Sequence, residues 1–291
     1  MGIRNRFMIV TGALGAATIL AVGAASYELS RQAAMRDAKE KGRIIFTTME
    51  SIQTNFVAAQ RPLLLQVVEK DRFYPEIMSG AVITRMVWDL LDKKLPGYQF
   101  KQAAVDPRWP PNKADDQEVA IIQGFRADAE LKTQEGTLSK RGEPYYYFAT
   151  RRNAGKGCLQ CHSDPATAPK DQVEIYGGER GYHWKEGDVA AAFVVYVPLA
   201  AALEEARNNA LKLLTVAGLG LGLALAAIWL LLDRQVVRPI TELSSRTEAI
   251  SMGRGLEERV ATVATGEIAT LAAGLERLRV SIAKMLKRST T

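Results

Sequence analysis

At 291 residues, with 47% hydrophobic and 24% charged side chains, the chain has room for one or two domains with a core and a composition that excludes a disordered protein. Its net charge of +6 is modest, and the basic residues alternate with acids instead of forming a run. No Arg/Lys patch interleaved with aromatics marks a nucleic-acid groove, so no nucleic-acid partner is expected and the basic excess reads as membrane flanks.

The first predicted element is a transmembrane helix over residues 7–27, after a short N-terminus at 1–6. FMIVTGALGAATILAVGAASY contains no charge and matches the roughly 20 residues a helix needs to cross hydrocarbon. The small residues in AVGAAS also suit a signal-peptide cleavage site, but the run is long for a signal sequence and reads better as an anchor. From Glu28 to about Gln66 the pattern is helical: Ile45, Met49, Ile52, Phe56 and Ala59 recur at steps of four and three and predict one buried face. Pro62 is expected to end or bend that helix. A second helix follows FYP, with Ile83, Met86, Val87 and Leu90 inward. VDPRWPPNKADD is a Pro-rich loop, and Asp116 to Leu131 is helical again. Then the period changes, and PYYYFATR and DVAAAFVVYVPL read as strands of an antiparallel sheet.

Between those strands lies GKGCLQCHSDPATAPK, which holds both cysteines of the chain and one of its two histidines. CLQCH is the C-x-x-C-H pattern of c-type haem attachment. Cys158 and Cys161 can each bond one vinyl group, and His162 is then held beneath the iron as proximal ligand. Three other readings compete. A redox dithiol does not need the adjacent histidine, and no thioredoxin-like βαβ pattern surrounds this one. A zinc site could recruit Cys158, Cys161, His162 and His183, without the usual paired ligand spacings. A plain disulfide suits an exported segment. One covalent haem c is the preferred reading. Its distal position is open to a methionine or to His183, the other histidine. Met49 is favoured slightly, because a helix fixes a ligand more rigidly than the Gly-rich turn YGGERGYHWKEG that carries His183. Met78 and Met86 on the second helix are further candidates, although gap-filling in a core is the ordinary role of any methionine.

A second transmembrane helix is predicted at 213–232, ending against Asp233 and Arg234. Arg4, Arg6, Arg234 and Arg238 flank the two spans, so the positive-inside rule puts both termini in the cytoplasm and residues 28–212 outside. In residues 233–291, Ile240, Leu243, Thr247 and Ile250, then Ile268, Leu271, Leu275, Leu278, Ile282 and Met285, form two coiled-coil seams joined by a Gly-containing connector. Two membrane-surface amphipathic helices are the alternative. Such narrow stripes are better buried by a second chain, as a homodimer paired in a parallel four-helix bundle.

Several separated blocks resemble a family of exported PAS-like c-type haem sensor domains (Tll0287-like). They are Phe73-Tyr74-Pro75, Asn112, Glu118, CLQCHS, Ala168-Pro169-Lys170, Tyr176-Gly177, Trp184-Lys185, Gly187 and Val197-Pro198, within residues 45 to 200. His183 departs from the pattern, which expects glycine before the tryptophan. Pro239, Gly253 and Gly266-Glu267-Ile268 resemble a HAMP relay module. The resemblance implies an α+β, PAS-like sensor domain with a long N-terminal helix, lying in the periplasm of a bacterial inner membrane, sensing redox state or a small gas and coupled through the membrane to the relay. Residues 233–291 hold no histidine and no P-loop, so the output is expected to pass to a separate cytoplasmic signalling partner. A membrane-tethered electron-transfer cytochrome, or a haem subunit of a respiratory or photosynthetic complex, is the competing reading. No enzyme activity is expected, since no distal acid/base stands out.

Overall fold

A computed structural model describes residues 3–69, 71–260 and 266–289. The chain divides into two compact units, Glu28–Arg207 and Met1–Tyr27 together with Asn208–Thr291.

The first unit is a four-stranded, wholly antiparallel sheet of order β1-β4-β3-β2, made of β1 (Gln99–Ala103), β2 (Thr133–Lys140), β3 (Glu143–Asn153) and β4 (Val189–Pro198). Successive side chains alternate between faces. Phe193, Val195 and Val197 join Tyr146, Phe148 and Phe100 on one face, where α1 (Ile3–Asn55) and α4 (Gly80–Asp92) supply Phe46, Met49 and Trp88. On the other face Ala192, Val194 and Tyr196 meet Ile121, Ile122 and Phe125 of α5 (Asp116–Ala127). The two expected strands are β3 and β4, the central pair. β1 and β2 are the edges, and their polar sequences QFKQA and TQEGTLSK gave no hydrophobic run to read.

Three expectations are corrected. Of the two outcomes expected at Pro62, an end or a bend, the helix does not end there but is distorted just before it. Phe56–Gln60 form a π turn in which the Arg61 N–H donates to Phe56 O, and α2 (Arg61–Val67) continues with Pro62 in its first turn. Widening the helix by one residue removes the clash between the proline ring and the carbonyl four residues back. The same extra residue shifts the helical phase, so Ala59 is exposed while Ile45, Met49 and Phe56 are buried. On α4 the inward residues are Val82, Thr84 and Trp88, with Val87 and Leu91 alongside, whereas Met86 and Leu90 are exposed. Trp88 packs on Phe100 with ring centroids 5.8 Å apart and turns the helix toward itself. Finally, α5 stops at Ala127, short of Leu131, because Asp128 is already extended. Its start is a capping box: Asp115 accepts from the Glu118 N–H (2.9 Å) and Glu118 from the Asp115 N–H (3.0 Å).

In the second unit, α8 (Ala200–Leu232) and the N-terminal part of α1 are each long and apolar enough to cross a membrane. Gly15 and Gly23 let Leu221 and Leu214 lie against the α1 backbone; a Cβ there would come within 2.7 and 2.5 Å of them. Arg4 pairs with Asp233 at 2.7 Å. A second π turn, Asp233–Val237, leads into α9 (Arg238–Ser251), again just before a proline, Pro239. α9 and α10 (Glu267–Ser289) pack together through Leu243, Ile250 and Ala272. Part of the expected connector, residues 261–265, lies outside the described residues. Of the expected seam, Leu271 (61% exposed), Leu278 (52%) and Met285 (65%) form a heptad-spaced stripe that this chain leaves uncovered. An open groove of about 660 Å³ runs beside it, lined by Leu243, Thr247, Leu271, Leu275 and Leu278.

Candidate functional site

The CLQCH segment is an excursion between the two central strands. The β3–β4 ladder ends at Asn153 opposite Val189, and paired bonds close the base: Ala154 N–H to Asp188 O and Gly187 N–H to Ala154 O, both 2.8 Å. Lys156–His162 then form one short helix, α6. Cys158 and Cys161, three residues apart on a helix, project to the same side, and both are free thiols. Cys161 is buried against Phe73 and Met78, with Val68 and Tyr176 at the margin. Burial pushes its thiol up from the ordinary value, against the opposing charges of Arg61 and Arg108.

His162 is held from two directions. Its Nδ1 lies 2.7 Å from Gly181 O, and the Trp184 ring stacks on it at 3.9 Å with 8° between planes. A carbonyl only accepts, so Nδ1 carries the proton and the lone pair of the neutral ring is on Nε2. Burial, and next the charge of Arg108, lower its pKa to about 4, so the ring is neutral at pH 7. The loop after β1 grips the same place. Arg108 donates through Nη2 to Gly181 O (3.0 Å) and to Cys161 O, and its guanidinium lies 4.2 Å from the Tyr182 ring centroid. Asp106 accepts the Gly181 N–H at 2.9 Å. From α7 (Lys170–Tyr176), the wholly buried Gln172 donates to Cys161 O at 2.8 Å.

The structure gathers Cys158, Cys161 and His162 on α6 but brings neither Met49 nor His183 into the cluster that holds Cys161. Met49, fully buried, belongs to the sheet core with Phe46 and Trp88. Met78 is the methionine that packs against Cys161, and its Sδ accepts the Tyr74 N–H at 3.2 Å. His183 has an exposed side chain, and its N–H donates to Ser163 O at 2.6 Å. Its φ of 63° is left-handed, which explains why the resemblance expects glycine there. Among the described residues no three His, Cys, Asp or Glu side chains converge as metal ligands, so the four-ligand zinc set does not assemble. Sequence reasoning missed Arg108, Asp106, Gln172 and Gly181. Arg108 and Asp106 sit in a Pro-rich loop whose pattern says only "loop".

Glu118 is far from this chemistry in role. It is fully buried beneath the other face of the sheet, where it accepts from Lys101 (2.6 Å), Lys140 (2.8 Å) and the Tyr196 hydroxyl (2.7 Å). Burial alone would push its carboxyl up, but these hydrogen bonds outweigh that and hold it below the usual range.

The donor set suits a covalently held haem: two same-side thiols, then a neutral histidine whose Nδ1–H is tied to a carbonyl and whose Nε2 is left for iron. The surroundings agree. α2, RPLLLQV, buries none of its residues, and Leu63 and Val67 stand exposed on it. Arg61, close enough to act on both Cys161 and His162, has a buried Nε without a hydrogen-bond partner among the described residues.

Fold and site together define a helix-flanked antiparallel-sheet domain that carries a C-x-x-C-H helix between its central strands. The chain belongs to the Tll0287-like family, whose model matches residues 31–198. The crystal structure of the cyanobacterial heme-protein Tll0287 is similar, with 17% sequence identity and a TM-score of 0.43 over 55% of this chain and 95% of that one. No curated protein matches.

Proposed function

We propose that this protein is a membrane-anchored c-type cytochrome that senses redox state or a small gas from the periplasm. It relays the state through a HAMP-like bundle, formed with a second copy, to a separate cytoplasmic partner. Cys158 and Cys161 would hold the haem by thioether bonds, with His162 as proximal ligand. When bound, it would supply an iron that changes oxidation state or takes a diatomic ligand. The carrying observation is the His162 Nδ1 to Gly181 O bond of 2.7 Å, which orients a neutral imidazole directly after the two thiols. Met49 is committed to the sheet core and His183 faces solvent, so of the distal candidates Met78, packed against Cys161, is the one within the site, and a thioether that also accepts the Tyr74 N–H would be a ligand that an incoming gas could displace. Support for a relay comes from chain continuity: only Leu199, buried in the core, separates β4 from α8, so a shift of β4 would be passed to the start of α8. The uncovered stripe of Leu271, Leu278 and Met285 supports pairing with a second chain.

The test is expression of the full chain in a host that attaches c-type haem, read by intact mass and absorption spectra before and after CO or NO. Wild type gains one haem mass and its reduced spectrum changes with gas; Cys158→Ala/Cys161→Ala gains none. A colourless wild type of polypeptide mass overturns the haem, and spectra unmoved by either gas overturn gas sensing in favour of redox sensing or electron transfer. Cysteines placed singly at 271, 278 and 285 should crosslink two chains more than neighbouring positions, and a flat profile removes the dimer.

A further inference from the structure

Two donors converge on one carbonyl behind His162. Gly181 O accepts from His162 Nδ1 at 2.7 Å and from Arg108 Nη2 at 3.0 Å. Arg108 is fixed there by its other contacts: Nη2 also donates to Cys161 O, Nε to Arg180 O at 3.3 Å, and the guanidinium stacks on Tyr182. Asp106 also holds Gly181, accepting its N–H at 2.9 Å. The fit is close as well, since a Cβ on Gly181 would lie 2.9 Å from Arg108 Cγ.

We propose that Arg108 is a positioning residue that sets how strongly His162 donates to the haem iron, by competing with Nδ1–H for the Gly181 carbonyl. This rests on the haem reading above. A carbonyl that already accepts from a cation has less electron density to offer a second donor. The Nδ1–H bond is then weaker, the ring keeps less imidazolate character, and Nε2 is a poorer σ-donor. A poorer donor favours the reduced iron and a longer, more easily stretched bond to it. The arrangement is a set point built from one shared oxygen. It lies in a loop remote in sequence from the motif, so the ligand's strength is adjustable without changing the ligand.

Arg108→Gln and Arg108→Lys in the full, haem-loaded chain test this. Two quantities are read: the iron–histidine stretching band of the reduced protein by resonance Raman, and the reduction potential. In Arg108→Gln the band moves to higher frequency and the potential falls. Arg108→Lys, which returns a cation within reach of Gly181 O, moves both back toward wild type. A lowered potential with an unmoved band would mean that Arg108 acts only as a distant charge, and would overturn the proposal, as would two unmoved readings. A third reading needs no haem: the ¹H resonance of His162 Nδ1–H in the unloaded chain, which moves downfield in Arg108→Gln if the carbonyl is shared. A wild type that takes no haem defeats the haem reading, while an unmoved Nδ1–H resonance defeats the shared carbonyl.

Discussion

Replacing Glu118 with glutamine isolates the buried polar network from everything else in the sheet domain. The amide keeps the shape but loses the charge that satisfies Lys101 and Lys140, whose side chains are only 23% and 16% exposed. Tyr196 also loses an ionic acceptor for its buried hydroxyl. Breaking a buried ion pair from one side costs about 3–5 kcal/mol. Both lysines retain some access to water and can swing toward it, so a loss of about 3 kcal/mol, the low end, is expected for Glu118→Gln. Thermal and urea unfolding of the detergent-solubilised chain, followed by circular dichroism, would measure it. Acid adds a second signature. The folded carboxyl titrates below its ordinary value of 4.5, so the stability it contributes is present above that pH and is lost as pH falls through 4.5 toward the folded value. Wild type should therefore lose stability faster than the variant on acidification below pH 4.5. A variant within about 0.5 kcal/mol of wild type, the scatter of ordinary surface changes, with the same acid slope would refute the network as a stabilising element.

Other substitutions probe single features. His183→Gly should raise stability by about 0.5–1 kcal/mol, because relief of a left-handed backbone exceeds the entropy glycine adds; a lower melting temperature would speak against strain there. Gly181→Ala combines a φ of 65° with the close approach of Arg108, and should cost at least about 1–2 kcal/mol, visible as a lower melting temperature. Thr150 is buried with a hydroxyl that has no hydrogen-bond partner among the described residues, so Thr150→Val should be neutral or stabilising by about 1 kcal/mol; a clear loss would reveal a hidden partner.

The parts of the molecule that were legible in the sequence are those where one chemical demand dominates. The middles of β3 and β4 are buried on both faces and are rich in aromatic and β-branched residues, so they read as strands. β2 alternates exposed and half-buried residues, and β1, though buried at Phe100, Gln102 and Ala103, is five residues long with three polar side chains, so nothing in QFKQA distinguishes an edge strand from loop. The α4 face was misjudged because Ile83, Met86, Val87 and Leu90 satisfy helical spacing as well as the true set; the choice is made by Trp88 meeting Phe100, a partner from another element. At the site, CLQCH was legible as a motif because its two thiols and histidine lie within five residues. The hand that holds His162 was not, because Gly181, Trp184 and Arg108 come from two loops whose meeting depends on the whole sheet.

The wide turn before Pro239 has a mechanical meaning for α9. One surplus residue in a helix amounts to about 100° of azimuth and 1.5 Å of advance for all that follows. Proline blocks the ordinary remedy of tightening back to the regular winding, since its ring would again strike the carbonyl behind it. The direction in which Leu243 and Ile250 point is thus offset from the winding of the apolar helix by a fixed increment, and Pro239 keeps that increment from being taken up again.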